Sequence, residues 1–349
     1  MGRMTVKIRK PYLVFVGEET NPVYAKTGAG LVQWDRENCL GQLRLTEDAV
    51  DLGVPECSVE EALKQGAKTL VLGIAVVGGR IPTAMMSVIE DALSRGLDVA
   101  SGMHDRLGDM PTVRDLAQRS GAKLIDVRVP PADIPIARGV KRGGKRLLTV
   151  GTDCALGKKY TALALAAAMR DRGMDATFRA TGQTGILIAG SGIPIDAVVS
   201  DFVAGAAETL SPDAPEHHWD IVEGQGGIVH PAYAAVSMGL LMGTQPDAFV
   251  VCTDATRSHI VGWPDFPVPS IQRVIDITIS LGQTVNPDIR CVGISANTSG
   301  LPADQRATYR QKLSDDYGLP CVDPLDGGVE ALVDFIAGEA INDATVAIM

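Results

Sequence analysis

Gly151-Thr152-Asp153-Cys154-Ala155-Leu156-Gly157-Lys158-Lys159 joins the apolar run Leu147–Val150 to the helix-forming, alanine-rich stretch Tyr160–Met169. An apolar run, a glycine turn and a helix in that order specify a strand–loop–helix unit, which is stable when its strand joins a parallel sheet. Gly151 and Gly157 let the backbone turn tightly, so that its N–H groups converge at the start of the helix, where a phosphate is favoured. Thr152 and Asp153 line the turn, and Lys158 adds a cation where terminal phosphate charge sits. Two departures stand out. Five residues separate the glycines, one more than is usual, and Lys159 occupies the position of the Ser or Thr that normally ligates Mg²⁺. A protonated lysine repels that ion, and Thr161 points about 200° away around the helix. Lys159 either suits a metal-free phosphate group or lies outward in solvent.

The rest of the chain repeats the strand–helix alternation. Strands are expected at Tyr12–Gly17, Lys68–Val76, Leu97–Ser101 and Lys123–Val127, with helices at Ser58–Gln65, Pro82–Arg95 and Pro111–Ser120. After Val129-Pro130-Pro131 and the basic, glycine-containing stretch Ala137–Lys145, strands follow at Arg146–Val150, Ala176–Ala180, Trp219–Glu223, Ala248–Thr253, Ile289–Ser295 and Pro320–Val322. Between and after these lie the helices Lys158–Arg172, Pro231–Leu241, Ser270–Leu281, Ala303–Tyr317 and Val329–Ala337. The reading is an α/β protein of two domains: a Rossmann-like parallel sheet over 1–128, a linker over 129–145, and a P-loop NTPase-like parallel sheet over 146–349. Aromatic residues at 4% fit close packing of small side chains better than a β-sandwich.

Composition excludes some functions. A net charge of −10 argues against a nucleic-acid surface, which needs a basic stripe. No run of about 18 apolar residues is present, so neither a membrane span nor a membrane partner is expected. The six cysteines are widely spaced and none form a Cys-x-x-Cys pair, as in a reduced, cytoplasmic protein. Small-residue helices permit a homo-oligomer.

Chemistry-bearing residues fall at strand ends, the ligand-binding rim of an α/β sheet. Glu223-Gly224-Gln225-Gly226-Gly227-Ile228-Val229-His230 follows Trp219–Val222. His230 there is either a general base or a structural residue capping the next helix. Thr181-Gly182-Gln183-Thr184-Gly185 reads as a polar, glycine-flexed loop. Asp196 and Asp201 fall in an expected helical segment, with Glu208 unassigned. Cys252–His259 brings Arg257, a planar fork suited to carboxylates, and His259. Asn297 is either a purine-reading amide or a turn residue. In the first half, Lys26–Gly30 is a glycine loop without a clear strand–loop–helix frame, Gly73–Pro82 runs from strand to helix, and Gly102–Asp105 follows a strand end. None fits Gly-x-Gly-x-x-Gly, so a nicotinamide cofactor is not expected.

The loop 151–159 and the Glu-Gly-x-Gly-Gly stretch at 223–227 are similar to those of dethiobiotin synthetases. With Lys26–Gly28, Gly102–His104, Asp126–Arg128, Ala180–Gly185 and Asn297, nearly the whole chain resembles a two-domain P-loop family whose best-understood members are D-glutamate N-acetyltransferases of the DgcN type. The resemblance implies transfer of an acetyl group from acetyl-CoA, without a metal, to the amino group of D-glutamate, supplying an N-acetyl-glutamate racemase in D-amino-acid catabolism. On that basis Gly151, Thr152, Asp153, Gly157, Lys158 and Lys159 are assigned to the CoA phosphates and Asn297 to adenine. Glu223 or His230 is the expected base and Gln183 the oxyanion donor, with Arg257, His259 and Thr184 contacting substrate. Two other classes predict different behaviour: an ATP- and Mg²⁺-dependent ligase or kinase of the dethiobiotin-synthetase type, and a non-catalytic sensor of nucleotide or CoA.

Overall fold

The computed structural model describes residues 6–22, 24–74 and 80–346. Contacts divide the chain into two compact units, the residues up to Ala132 with Gly182–Ala197, and Asp133–Thr181 with the residues from Val198 onward. Among the described residues, no helix is long and apolar enough to cross a membrane.

The first unit holds a five-stranded parallel sheet. In spatial order its strands are Cys39–Arg44, Tyr12–Gly17, Thr69–Leu72, Asp98–Ser101 and Leu124–Asp126. This is a doubly wound order, reversing between the strands Tyr12–Gly17 and Thr69–Leu72. Every residue of Tyr12–Gly17 is buried, as befits a central parallel strand covered on both faces. The helix Val59–Lys64 starts in a capping box, with Ser58 accepting from the Glu61 N–H and the Glu61 carboxylate accepting from the Ser58 N–H. Pro111 opens the helix Pro111–Ser120, and left-handed Gly121 ends it.

Among the elements of this unit that were not legible in the sequence are the strand Cys39–Arg44 and the helix Lys26–Trp34. Lys26–Gly30 therefore does have a strand–loop–helix frame. Its glycines lower helix propensity and hid the helix, but packing requires one of them. A Cβ on Gly28 would lie 2.9 Å from Leu52 Cδ1 and 3.2 Å from the Gly73 carbonyl, and the Gly28 N–H donates to that carbonyl at 2.7 Å. The Gly73–Pro82 stretch includes residues 75–79, which lie outside the described residues, as does Val76 of the expected strand Lys68–Val76.

The segment 182–197, inside the 146–349 span of the sequence reading, groups with the first unit. Thr181–Gly185 is not wholly a loop, because Gln183 begins the helix Gln183–Ala189. Tyr12 Oη and Lys10 Nζ donate to the carbonyls of Leu187 and Ile188 at 3.1 and 3.0 Å, and Ser191–Gly192 pairs antiparallel with Val6–Lys7. Asp196 lies in a single 3₁₀ turn and pairs with Arg128 at 2.8 Å.

The second unit holds six parallel strands in the order Cys321–Val322, Arg290–Asn297, Ala248–Asp254, Lys145–Gly151, Trp219–Val222 and Ala176–Arg179. The helices Lys158–Asp171, Val203–Leu210, Ala234–Thr244, Ile271–Gly282, Ala303–Tyr317 and Glu330–Val346 alternate with and follow the strands. Ile271–Gly282 buries Ile271, Val274, Ile275 and Thr278, the spacing of one helical face, behind a Ser270 cap.

Residues 129–144 contain no helix or strand, yet the part from Arg138 to Arg142 is hydrogen-bonded within the second unit. Glu208 accepts the Arg138 and Gly139 N–H groups at 3.0 Å each. Arg142 is buried and donates to Ser211 O, Gln245 Oε1 and Gly243 O. The neighbouring Arg146 is fully buried and spends its guanidinium on Ser211 Oγ and four carbonyls, those of Arg142, Gly143, Gly144 and Pro212. Buried polar groups need such partners, which explains why the basic stretch is ordered.

Candidate functional site

The parallel register of the second sheet brings the C-terminal ends of its strands to one rim. Thr181, Glu223, the 151–158 loop, Asp254 and Asn297 lie at or just after the ends of the strands Ala176–Arg179, Trp219–Val222, Lys145–Gly151, Ala248–Asp254 and Arg290–Asn297, in spatial order. The alternating strand–helix connections place those loops together; sequence proximity does not.

The loop turns through two left-handed residues, Ala155 at φ 51° and Gly157 at φ 102°, before the helix Lys158–Asp171 begins with no side-chain cap. Ala155 is strained in this region, and such strain is held only where the surroundings enforce it. Lys158 is buried and folds back over the loop, with its Nζ donating to the Asp153 carbonyl at 2.7 Å, and burial pushes its ammonium below the ordinary lysine range. The Lys159 ammonium lies 4.4 Å from the Tyr160 ring centroid. Thr161 does not replace the missing hydroxyl at 159. Its Oγ1 is shared with Ser295 Oγ at 2.8 Å and the Gly157 carbonyl at 3.2 Å. Thr152 Oγ1 donates to Thr253 Oγ1 at 3.3 Å.

Asp153 is the hub of the loop. Its fully buried carboxylate accepts from the Cys154 N–H at 2.6 Å, from Arg257 Nη1 at 2.9 Å and from the Val261 N–H at 3.0 Å. Arg257 also donates to the Cys154 carbonyl at 2.6 Å and is 17% exposed, so its fork is largely spent on bracing the loop. His259 is exposed beside Ser258 Oγ at 3.0 Å. Asn297 forms a turn, its Nδ2 donating to Asp254 Oδ2 at 3.0 Å and its Oδ1 accepting the Ser299 N–H at 3.1 Å.

On the other side, Glu223 is buried and its Oε2 accepts the Thr181 N–H at 2.9 Å. The following glycine is obligatory, because a Cβ on Gly224 would overlap the Thr149 carbonyl. Gly227 passes so close that its Cβ would be 3.2 Å from Gly151 O. The 223–230 loop thus lies directly against the 151–158 loop.

His230 ends that loop, fully packed, with its ring stacked on Tyr233 at 4.6 Å and edge-on to Trp263 at 4.8 Å. Nδ1 accepts two backbone N–H groups, those of Ala232 and Tyr233, at 3.1 and 3.2 Å. An imidazole that accepts at Nδ1 carries its proton on Nε2. Nε2 lies 3.6 Å from Asp153 Oδ1 and has no hydrogen-bond partner among the described residues. Burial first of all, then Lys158, pushes the imidazole pKa down against the opposing pull of Asp153, favouring the neutral ring.

Asp153, Cys154 and His230 present donor atoms within 4.8 Å of one another, a spacing a metal ion could use. Their chemistry does not fit one. Ligation through Nε2 needs the proton on Nδ1, where two N–H groups already point, while the Asp153 carboxylate is paired with a guanidinium. Burial also raises the Cys154 thiol above its ordinary pKa, away from the thiolate a metal prefers.

Gln183 and Thr184 fall in the first unit. Thr184 Oγ1 lies 3.4 Å from Thr27 Oγ1, and Gln183 packs over Gly102, whose absent Cβ makes room for the amide. Trp263 and Tyr233 were not singled out from sequence; the only available signal was that aromatic residues are scarce in this chain.

Comparison with known proteins bears on both units. A family model described as "Domain of unknown function (DUF1611_C) P-loop domain" matches residues 135–333, and one described as "Domain of unknown function (DUF1611_N) Rossmann-like domain" matches residues 43–130. A protein of Pseudoalteromonas sp named D-glutamate N-acetyltransferase is 46% identical over 94% of this chain and 99% of its own length. One of the same name from Tritonibacter scottomollicae is 47% identical over 95% of this chain and 99% of its own. The crystal structure of a DUF1611 family protein from Anabaena variabilis superposes with a TM-score of 0.83 at 31% identity, covering 95% of this chain and all of that one. The chain, with its Rossmann-like N-terminal and P-loop C-terminal domains, belongs to the DUF1611 family.

Proposed function

We propose that this protein is an N-acetyltransferase that moves an acetyl group from acetyl-CoA to the amino group of D-glutamate. The observation that carries the reading is near-full-length identity of 46–47% to two relatives bearing that enzyme name. The site supports it. A glycine-turned helix start with a buried lysine suits the phosphates of CoA, and a lysine at 159 suits a ligand taken without Mg²⁺. Gly151, Thr152, Gly157, Lys158 and Lys159 form that cradle, with Asp153 shaping it from within. Asn297, on the same rim, is the residue we assign to the adenine.

Amide formation needs the substrate ammonium to lose a proton before nitrogen attacks the thioester carbonyl. Glu223 is the group proposed to take it, because His230 has its acceptor lone pair committed to backbone. The new C–N bond forms and the C–S bond breaks; the second proton lost by the nitrogen passes to the departing CoA thiolate, and the proton taken by Glu223 is released to solvent. His259 is free of the loop brace that holds Arg257 and is the better placed to meet a substrate carboxylate. The product would be taken up by an N-acetyl-glutamate racemase, and we place the enzyme in the cytoplasm.

The test is thiol release from acetyl-CoA with a panel of D- and L-amino acids, with product identified by mass. Release with D-glutamate in the presence of a chelator is the expected result. Activity only with L-amino acids, or product formed with stoichiometric ADP from ATP and Mg²⁺, would overturn the reading.

A further inference from the structure

Three loops from three different strands meet at Asp153: its own, the 223–230 loop through His230, and the 257–261 turn through Arg257 and the Val261 N–H. Asp153 belongs to the phosphate-binding loop, and its carboxylate is engaged in this junction. The carboxylate accepts from the Cys154 N–H, Arg257 Nη1 and the Val261 N–H, and a further polar group faces it, His230 Nε2 at 3.6 Å. That nitrogen is buried and has no hydrogen-bond partner among the described residues. A buried N–H left unpaired is unfavourable, so its orientation towards a carboxylate needs a reason.

Elimination leaves one. Ligation of a metal is excluded by the proton on Nε2, and so is proton abstraction at that atom. Nδ1 is held by the Ala232 and Tyr233 N–H groups, and the ring plane is fixed by Tyr233 and Trp263. The ring can therefore neither flip nor change tautomer without breaking two backbone bonds. What remains is a fixed N–H dipole aimed at a carboxylate whose opposite oxygen holds Arg257.

We propose that His230 is a positioning residue, a tautomer-locked neutral donor that with Arg257 clamps Asp153 from both sides and keeps the loop 151–158 curled to take a phosphate without a divalent cation. The clamp shapes the loop that Mg²⁺ and a Ser or Thr hydroxyl would otherwise help organise. Closure of the 3.6 Å gap to a hydrogen bond when phosphate fills the loop would couple ligand binding to the clamp. The proposal rests on the reading of that loop as the CoA site.

Two substitutions separate donor from cap. His230→Asn places an amide oxygen where Nδ1 accepts but has nothing at the Nε2 position. His230→Gln reaches the Nε2 position with an N–H donor but loses the cap. CoA affinity is measured by calorimetry with chelator present, alongside thermal melting to establish that each variant is folded. The expected result is a Kd within about threefold of wild type for Gln and weaker by roughly tenfold or more for Asn, the loss of a hydrogen bond to a charged group. An Asn variant equal to wild type, equal losses in both variants, or no loss in either overturns the proposal. If the wild-type chain binds no CoA, the acyl-donor reading fails instead. The clamp is then judged by nitrogen NMR of labelled histidine, in which a protonated Nδ1 on His230 overturns it.

Discussion

Glu223 and Lys158 are both buried on the rim, and burial makes each side chain consequential. Replacing Glu223 by Gln preserves shape and the Thr181 N–H bond through the amide oxygen but removes basicity. The expectation is a fall in kcat of about 10²–10⁴ with little change in KM for acetyl-CoA, measured by steady-state thiol release. Lys158→Met removes the cation that donates to the Asp153 carbonyl; CoA binding should weaken by roughly tenfold or more in a calorimetric titration. Both residues were legible in the sequence because type and position coincide, a carboxylate at a strand end and a lysine at a glycine-turned helix start. Arg257 shows the limit of that legibility. A guanidinium after a strand suits a substrate carboxylate, but the fold supplies Asp153 at 2.9 Å, and an internal carboxylate within reach takes the fork.

At the level of elements, glycine carries much of the design. The turn at Gly224 presses its backbone on Thr149, so Gly224→Ala must push the Glu223 loop off the strand Lys145–Gly151. A folded variant should lose both CoA binding and turnover, and a large fall in melting temperature is expected in calorimetry. The helix Val59–Lys64 offers a contrast, because it belongs to the first unit and carries none of the rim residues. Ser58→Ala removes its cap and should destabilise by about 1 kcal/mol in urea unfolding, with thiol release unchanged. Most strands and helices could be read from apolar periodicity, cap residues and prolines. The helix Lys26–Trp34 could not, since its glycines serve tight packing against Gly73 rather than helix propensity.

For the whole molecule, stability should depend on pH in two stages. His230 has its pKa lowered in the fold, so the unfolded chain binds that proton more readily. Its contribution is present above the unfolded value of about 6.5 and is lost as pH falls through the lower, folded value. Asp153 and Lys158 are the charged groups that modulate it. Asp51, Glu61 and Asp326, whose carboxyls are also held below their ordinary range, lose their contributions later, as pH falls below about 4. Urea midpoints measured across this range should show both declines in wild type, and His230→Asn should remove the first. The sequence by itself determined the α/β class, the phosphate loop and the carboxylate at 223, because these are set by local periodicity and by residue types at strand ends. Only the tertiary structure decided that 182–197 packs with the first unit, that Asp153 pairs with Arg257, and that His230 Nδ1 accepts two backbone N–H groups. Each depends on which distant backbone N–H groups and charges the fold brings within hydrogen-bonding reach, and the order of residues along the chain does not encode those distances in any local pattern.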